Sequence, residues 1–394
     1  GVRHSYPPTS PVRGLNPERP SKRGATLESR WWTLVGAFAA SLAVAALFAS
    51  LAGNPGRVVT WMAGAALVAG GILAFARLHL DENRRTPSSP RIERFGPGNA
   101  VTLARGLALA MAAGFLFVPA PEGILRWAPP ILYTTAIVAD LFDGVLARRA
   151  NFATLLGARL DIELDGLGVL LALLLAVHLG QLSPWFIAVG LARPLFAVGL
   201  WWRRRQGLPT FELPPSRHRK LLAGIQMGFL SAALWPVLGP QALTLIGVCV
   251  LLPTVVGFGR DWLVVSGRIV PSGRAYELLD RWNDTVVVKG LPLLLRLLMP
   301  AAFVSLWLYD PLLESAVILF AMMGMASIAV GVLGRVGAIL LIIAVGVHAA
   351  IHGLDPLTSI LLAGASSILV FGTGPASLWK PEEAYILSDV DAGV

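Results

Sequence analysis

The stretch DLFDGVLARRANFATLLGARLDIELD, residues 140–165, carries four aspartates between two apolar runs. Asp140 and Asp143 are three residues apart, and Asp161 and Asp165 are four apart, so each pair shares one face of a helix. The flanking runs, 128–147 and 153–178, are each long enough to span the hydrocarbon core of a bilayer. A short loop at 149–153 folds them into an antiparallel hairpin and brings the four carboxylates to one end of it. Ionisable groups in such segments are costly and mark functional sites. Four uncompensated carboxylates repel one another and take up protons. Hard divalent cations, Mg²⁺ or Mn²⁺, relieve this with all-oxygen coordination. Gly144 and Gly157 remove side chains where helices approach closely, and Arg148 sets a fixed positive charge near the same level.

The rest of the chain agrees with a membrane setting. Its 394 residues are 55% hydrophobic and only 14% charged, with a mean hydropathy of +0.69, whereas a soluble domain carries about 25% charged residues. Working outward from the hairpin, apolar runs recur at 31–53, 57–77, 100–118, 183–202, 219–238, 240–259, 288–308, 312–332, 335–352 and 356–373. With the hairpin they make about twelve transmembrane helices, an all-α integral membrane protein with both termini on one side. The net charge of +9 would suggest nucleic acid in a soluble protein, but the basic residues form no continuous face. They gather in alternate loops, leaving only Arg57 and Arg126 in the others, which is the positive-inside pattern. Both termini and the carboxylates are therefore expected on the cytoplasmic side. The first 30 residues are polar, Pro-rich and basic, so no cleavable signal peptide is expected.

The aspartate string fits D-x2-D-G-x2-A-R-x8-G-x3-D-x3-D at all its fixed positions: Asp140, Asp143, Gly144, Ala147, Arg148, Gly157, Asp161 and Asp165. In this it resembles the CDP-alcohol phosphatidyltransferases, a family of six-helix membrane enzymes, over about residues 97–266. The resemblance implies two metals, Mg²⁺ or Mn²⁺, held by Asp140, Asp143, Asp161 and Asp165. It implies that Asp165 is also the general base for an acceptor hydroxyl. Gly144, Ala147, Arg148 and Gly157 would line the CDP site, and the enzyme would be a homodimer. Asn99, Thr102 and Arg105 share a helix face and resemble the family's Asn-x-x-Thr-x-x-Arg near the nucleotide; an N-cap with a snorkelling arginine would read the same way.

The chain accordingly divides into a basic tail with two helices (1–85), a six-helix core (86–270) and a four-helix block with a short tail (271–394). The loop 203–220 is strongly basic and lies on the carboxylate side. Arg217, Arg219 and Lys220 there could bind an acceptor phosphate or lipid headgroups, or serve only as topological anchors. Leu222 and Ala223 replace residues often seen at this place in the family. Arg193, in mid-span, could reach the acceptor pocket or pair with Glu163. Arg260 and Asp261 read as an interfacial cap, Pro253 as a kink, Cys249 as a small core residue, and the His348/His352 pair lacks a third metal ligand. In the last block, Arg296 and the closing GTGPASLW, Gly372–Trp379, resemble DoxX-like four-helix membrane proteins, and the block is expected to be an accessory bundle.

The expected activity is phosphatidyl transfer from CDP-diacylglycerol to a small polar alcohol or alcohol phosphate, with release of CMP, in a bacterial inner membrane. The same motif also allows a CDP-amino alcohol to donate to diacylglycerol. A non-catalytic scaffold or transporter is the remaining alternative; a transporter would place its polar residues at the midplane rather than near one interface.

Overall fold

The structure, a computed structural model, describes residues 26–379 apart from 53–54, 150–152, 214–216, 271–272 and 310–314. Among these residues there is no β-strand, only an isolated bridge between Val332 and Trp379. Helices are what an apolar chain in lipid must form, because each backbone amide and carbonyl then finds its partner within its own segment. The helices are α1 (Leu27–Ala52), α2 (Pro55–Leu78), α3 (Pro97–Gly114), α4 (Ala128–Arg149), α5 (Leu155–His178), α6 (Ile187–Arg205), α7 (Arg217–Leu234), α8 (Pro240–Val265), α9 (Arg274–Trp282), α10 (Leu291–Tyr309), α11 (Ser315–Val330), α12 (Gly334–His352) and α13 (Pro356–Phe371). A π-helical segment, Asn283–Gly290, joins α9 to α10 without a break.

Every apolar run identified above overlaps one of these helices. Seven are long and apolar enough to cross a membrane by length and composition, and three shorter apolar helices accompany them. The hairpin helix α5 falls outside both groups because its first half carries Arg159, Asp161, Glu163 and Asp165. Large apolar side chains such as Leu51, Leu67, Leu252, Leu297 and Leu308 face outward. In water so many would be a liability; in lipid they are the expected surface. Integral membrane placement thus follows from length, composition and the outward apolar faces together.

The middle of the fold is α3. It packs along α4 and α2 and also touches α5, while α5 leans on α6 and α7. Cross-helix hydrogen bonds join the elements: Trp61 Nε1 donates to the Met111 carbonyl at 3.1 Å and Trp235 Nε1 to Thr134 Oγ1 at 3.1 Å. Such bonds are worth only about 0.6 kcal/mol each within a membrane, so close packing of small residues carries most of the cohesion. Where α11 meets α12, a Cβ on Gly324 would stand 2.7 Å from the Gly337 carbonyl oxygen. The last four helices form their own bundle, docked through α13 onto α8. Helix α8 runs on through Pro253 without interruption.

The polar linker between α2 and α3 is folded rather than loose. Asn83 is fully buried and donates through Nδ2 to the carbonyls of Ile92 and Arg94, at 2.6 and 3.0 Å. The Leu155 amide, at the start of α5, donates to the Arg84 carbonyl at 2.9 Å. Arg159 of α5 pairs with Glu82 at 2.9 Å. At the other end of the linker, the Glu93 carboxylate accepts from the Leu27 amide at 2.9 Å. The linker therefore ties α1, α3 and α5 together just where the carboxylate hairpin begins.

Candidate active site and metal centre

Asp140 comes from α4, and Asp161 and Asp165 come from successive turns of α5. One carboxylate oxygen from each lies within 4.8 Å of the others. All three are partly buried, Asp161 the most open at 42% side-chain exposure. Three carboxylates converging from two rigid helices form an all-oxygen donor set, which suits a hard divalent ion rather than a soft one. The donor chemistry thus fits a divalent metal, and Asp140, Asp161 and Asp165 could hold it. Asp143, Gly144, Ala147 and Arg148 fall in the last turns of α4, and their side chains lie outside the described residues.

The focus of this donor set is occupied by Arg105 of α3. Its guanidinium donates from Nη1 to Asp140 and, at 2.8 Å, to Asp161, and from Nη2 to Asp165. Arg105 is 4% exposed. Behind the cluster a small pocket is lined by Leu109, Tyr133, Ile137, Leu164 and Met227, so the carboxylates sit on an apolar floor. Burial of this kind strengthens every charge interaction at the site. The three carboxylates outnumber the single guanidinium that bridges them.

Asn99 and Thr102 also lie on the face of α3 that meets α5, both buried. Asn99 donates through Nδ2 to Asn83 Oδ1 at 3.1 Å and to Thr154 Oγ1 at 3.2 Å. Thr154 is the N-cap of α5 and accepts from the Gly157 amide at 3.1 Å. A Cβ on Gly157 would stand 2.4 Å from Asn99 Oδ1, so the glycine is required by this contact whatever else it lines. Thr102 donates its hydroxyl to the Gly98 carbonyl at 3.0 Å. The structure thus assigns Asn99 a scaffold role at the start of α5.

Residues 97–257 match the CDP-alcohol phosphatidyltransferase family. Over this segment the chain is similar to that family. Two curated relatives, each described as a probable phosphatidylglycerophosphate synthase, come from Mycobacterium tuberculosis strains CDC 1551 / Oshkosh and ATCC 25618 / H37Rv. Each is 29% identical over 137 residues, 34% of this chain. The match spans 63% of each relative's own length. No solved structure matches the chain.

The matched segment opens at the first residue of α3 and ends inside α8, so it takes in all the helices that build the carboxylate site. Of the basic residues expected near an acceptor, Arg193 of α6 lies directly over Gly166, next to Asp165: a Cβ on that glycine would meet its Nη1 at 2.5 Å. Glu163 is exposed. Arg219 of α7 donates to Asp261 Oδ2 at 3.0 Å, and Arg260 donates to Oδ1 of the same carboxylate at 3.2 Å. Asp261 is buried, so this pair ties the start of α7 to α8. The side chains of Arg217 and Lys220 lie outside the described residues.

Three residues carry more of the candidate site than the sequence reading assigned to them. Arg105, expected near a nucleotide, pairs with the clustered carboxylates of Asp140, Asp161 and Asp165. Asn83 lies in the polar linker between α2 and α3, where no spacing signal marks it. Thr154 had a legible signal, a threonine directly before an apolar helical run.

Proposed function

We propose that residues 97–257 catalyse phosphatidyl transfer from CDP-diacylglycerol to a small polar alcohol, with release of CMP. The observation that carries this reading is the convergence of Asp140, Asp161 and Asp165 within 4.8 Å, inside a segment of this family. Asp140, Asp143, Asp161 and Asp165 would hold two divalent ions, Mg²⁺ or Mn²⁺. When bound, such ions neutralise a diphosphate and make a nearby hydroxyl more acidic.

The chain's own groups do the rest. Asp165 takes the proton from the acceptor hydroxyl, whose oxygen then attacks the phosphorus of the donor. The bond from that phosphorus to the CMP oxygen breaks, and CMP leaves with the electron pair. Arg193, held beside Asp165, orients a negatively charged acceptor. Fixing both substrates against rigid helices supplies much of the rate. The partial likeness to a phosphatidylglycerophosphate synthase makes an alcohol phosphate, glycerol phosphate first, the acceptor to test. Residues 86–270 form the catalytic domain in this reading, working as a homodimer in a bacterial inner membrane with the site facing the cytoplasm. Residues 1–85 and 271–394 are accessory.

The test is CMP release by the purified protein with CDP-diacylglycerol, Mn²⁺ or Mg²⁺, and a panel of alcohols and alcohol phosphates. Metal-dependent release with one acceptor supports the proposal and names the acceptor. No release with any acceptor, from folded protein, removes it.

A further inference from the structure

Arg105 has a charge and a position that the transfer reaction as written leaves without a task. It projects from the middle of α3, almost fully buried, and its two terminal nitrogens reach all three clustered aspartates. Those are the same aspartates whose carboxylate oxygens come within 4.8 Å of one another. A divalent ion held at this convergence and the Arg105 guanidinium would compete for the same three carboxylates.

We propose that Arg105 is an exchangeable counter-charge. It holds Asp140, Asp161 and Asp165 together while no divalent ion is bound, it is displaced when one binds, and it thereby sets the metal affinity of the site. This rests on the metal-dependent reading given above.

Without a cation, three partly buried carboxylates at this separation repel and lose their convergence. Arginine suits the holding role because its planar fork offers several donors in fixed directions and stays charged at any pH the protein meets. Lysine, a compact point charge, cannot face Asp140 and Asp165 from two nitrogens. Finally, the cluster keeps an excess of negative charge with Arg105 in place. A compact doubly charged ion answers that excess better than one charge spread over a guanidinium. The exchange therefore favours the metal, at an affinity lower than the bare aspartates would show.

The experiment measures Mn²⁺ binding to the full chain in detergent by electron paramagnetic resonance of the free ion, without substrate. Wild type is compared with Arg105→Met, Arg105→Lys, Arg105→Ala and Asp161→Asn, each first shown to be folded by gel filtration and thermal melting. Arg105→Met is expected to bind Mn²⁺ about tenfold tighter than wild type or better, the equivalent of ~1.4 kcal/mol. Arg105→Lys should fall between them, and Asp161→Asn should bind more weakly. Guanidinium chloride at millimolar concentration should weaken Mn²⁺ binding by Arg105→Ala back toward the wild-type value, an effect that a merely structural arginine would not produce. Equal or weaker Mn²⁺ binding by Arg105→Met overturns the proposal. If that variant does not fold, Arg105→Lys decides in the same way. The readout is occupancy and not turnover: this binding pattern without CMP release from any acceptor sinks the transfer reaction alone. CMP release with Mn²⁺ affinity unchanged in the variants sinks the exchange alone.

Discussion

Oδ1 of Asn99 on α3 lies so close to Gly157 on α5 that a Cβ at the glycine would stand 2.4 Å from it. The contact sits one turn before Asp161 and fixes where α5 starts relative to α3. Because Asn99 also bonds Asn83 and Thr154, a single buried amide joins the linker, the α3 helix and the N-cap of the helix that carries two of the aspartates.

Gly157→Ala should therefore destabilise the protein by about 1–3 kcal/mol through overpacking. Asn99→Ala should cost a similar amount, about 1–3 kcal/mol, by leaving buried polar partners unpaired. The two changes touch the same contact, so the double variant should lose less than the sum of the singles. Thermal melting of the four proteins in one detergent checks this; strict additivity would mean the contact does not exist.

Asp165→Asn should remove the base that accepts the hydroxyl proton while keeping the side chain's size. CMP release is expected to fall by about 10²–10⁴-fold, with the melting temperature little changed. A variant that keeps wild-type turnover would take Asp165 out of the reaction.

Arg219→Ala separates two roles for the basic start of α7. The buried Asp261 would keep only Arg260 as its paired cation among the contacts described here. Stability is expected to fall by about 1–3 kcal/mol, the range for a lost bond to a charged group, and KM for an alcohol phosphate to stay within twofold or so of wild type. A raised KM at unchanged melting temperature would instead assign Arg219 to the acceptor.

The loop before α13 offers a pH test. Burial pushes the Asp355 carboxyl up, but bonds from the Thr358 amide and hydroxyl and the Leu357 amide outweigh it and hold the group below the usual carboxylate range. A carboxyl depressed in the folded state adds stability above its unfolded pKa of about 4 and loses it as pH falls through the folded value. Asp355→Ala should thus melt below wild type at pH 7, and the gap should close as the pH is lowered past 4. A gap of constant size across that range would show that the charge of the cap contributes nothing.

Much of the site was legible because its signals are local. Asp140, Asp161 and Asp165 declare themselves by spacing along two helices and by the expense of carboxylates in apolar runs. The runs themselves mark the helices that form. Arg105 and Asn99 were legible only as a shared helix face, and that reading placed them beside a nucleotide. What each side chain meets across the helix boundary was decided elsewhere.

By itself, then, the sequence determined the membrane setting, the helical class and the identity of the clustered carboxylates. Hydropathy and helical spacing act over a few residues, and lipid leaves a chain of this composition no alternative to helices. Only the tertiary structure decided that Arg105 stands among three aspartates that lie 35, 56 and 60 residues away along the chain. It also decided that Asn83 closes on Asn99 and that Arg193 comes to rest over Gly166. Those relationships depend on how α3, α4, α5 and α6 are rotated and shifted against one another. That is set by which small residues let the helices touch, and no local pattern in the chain encodes it.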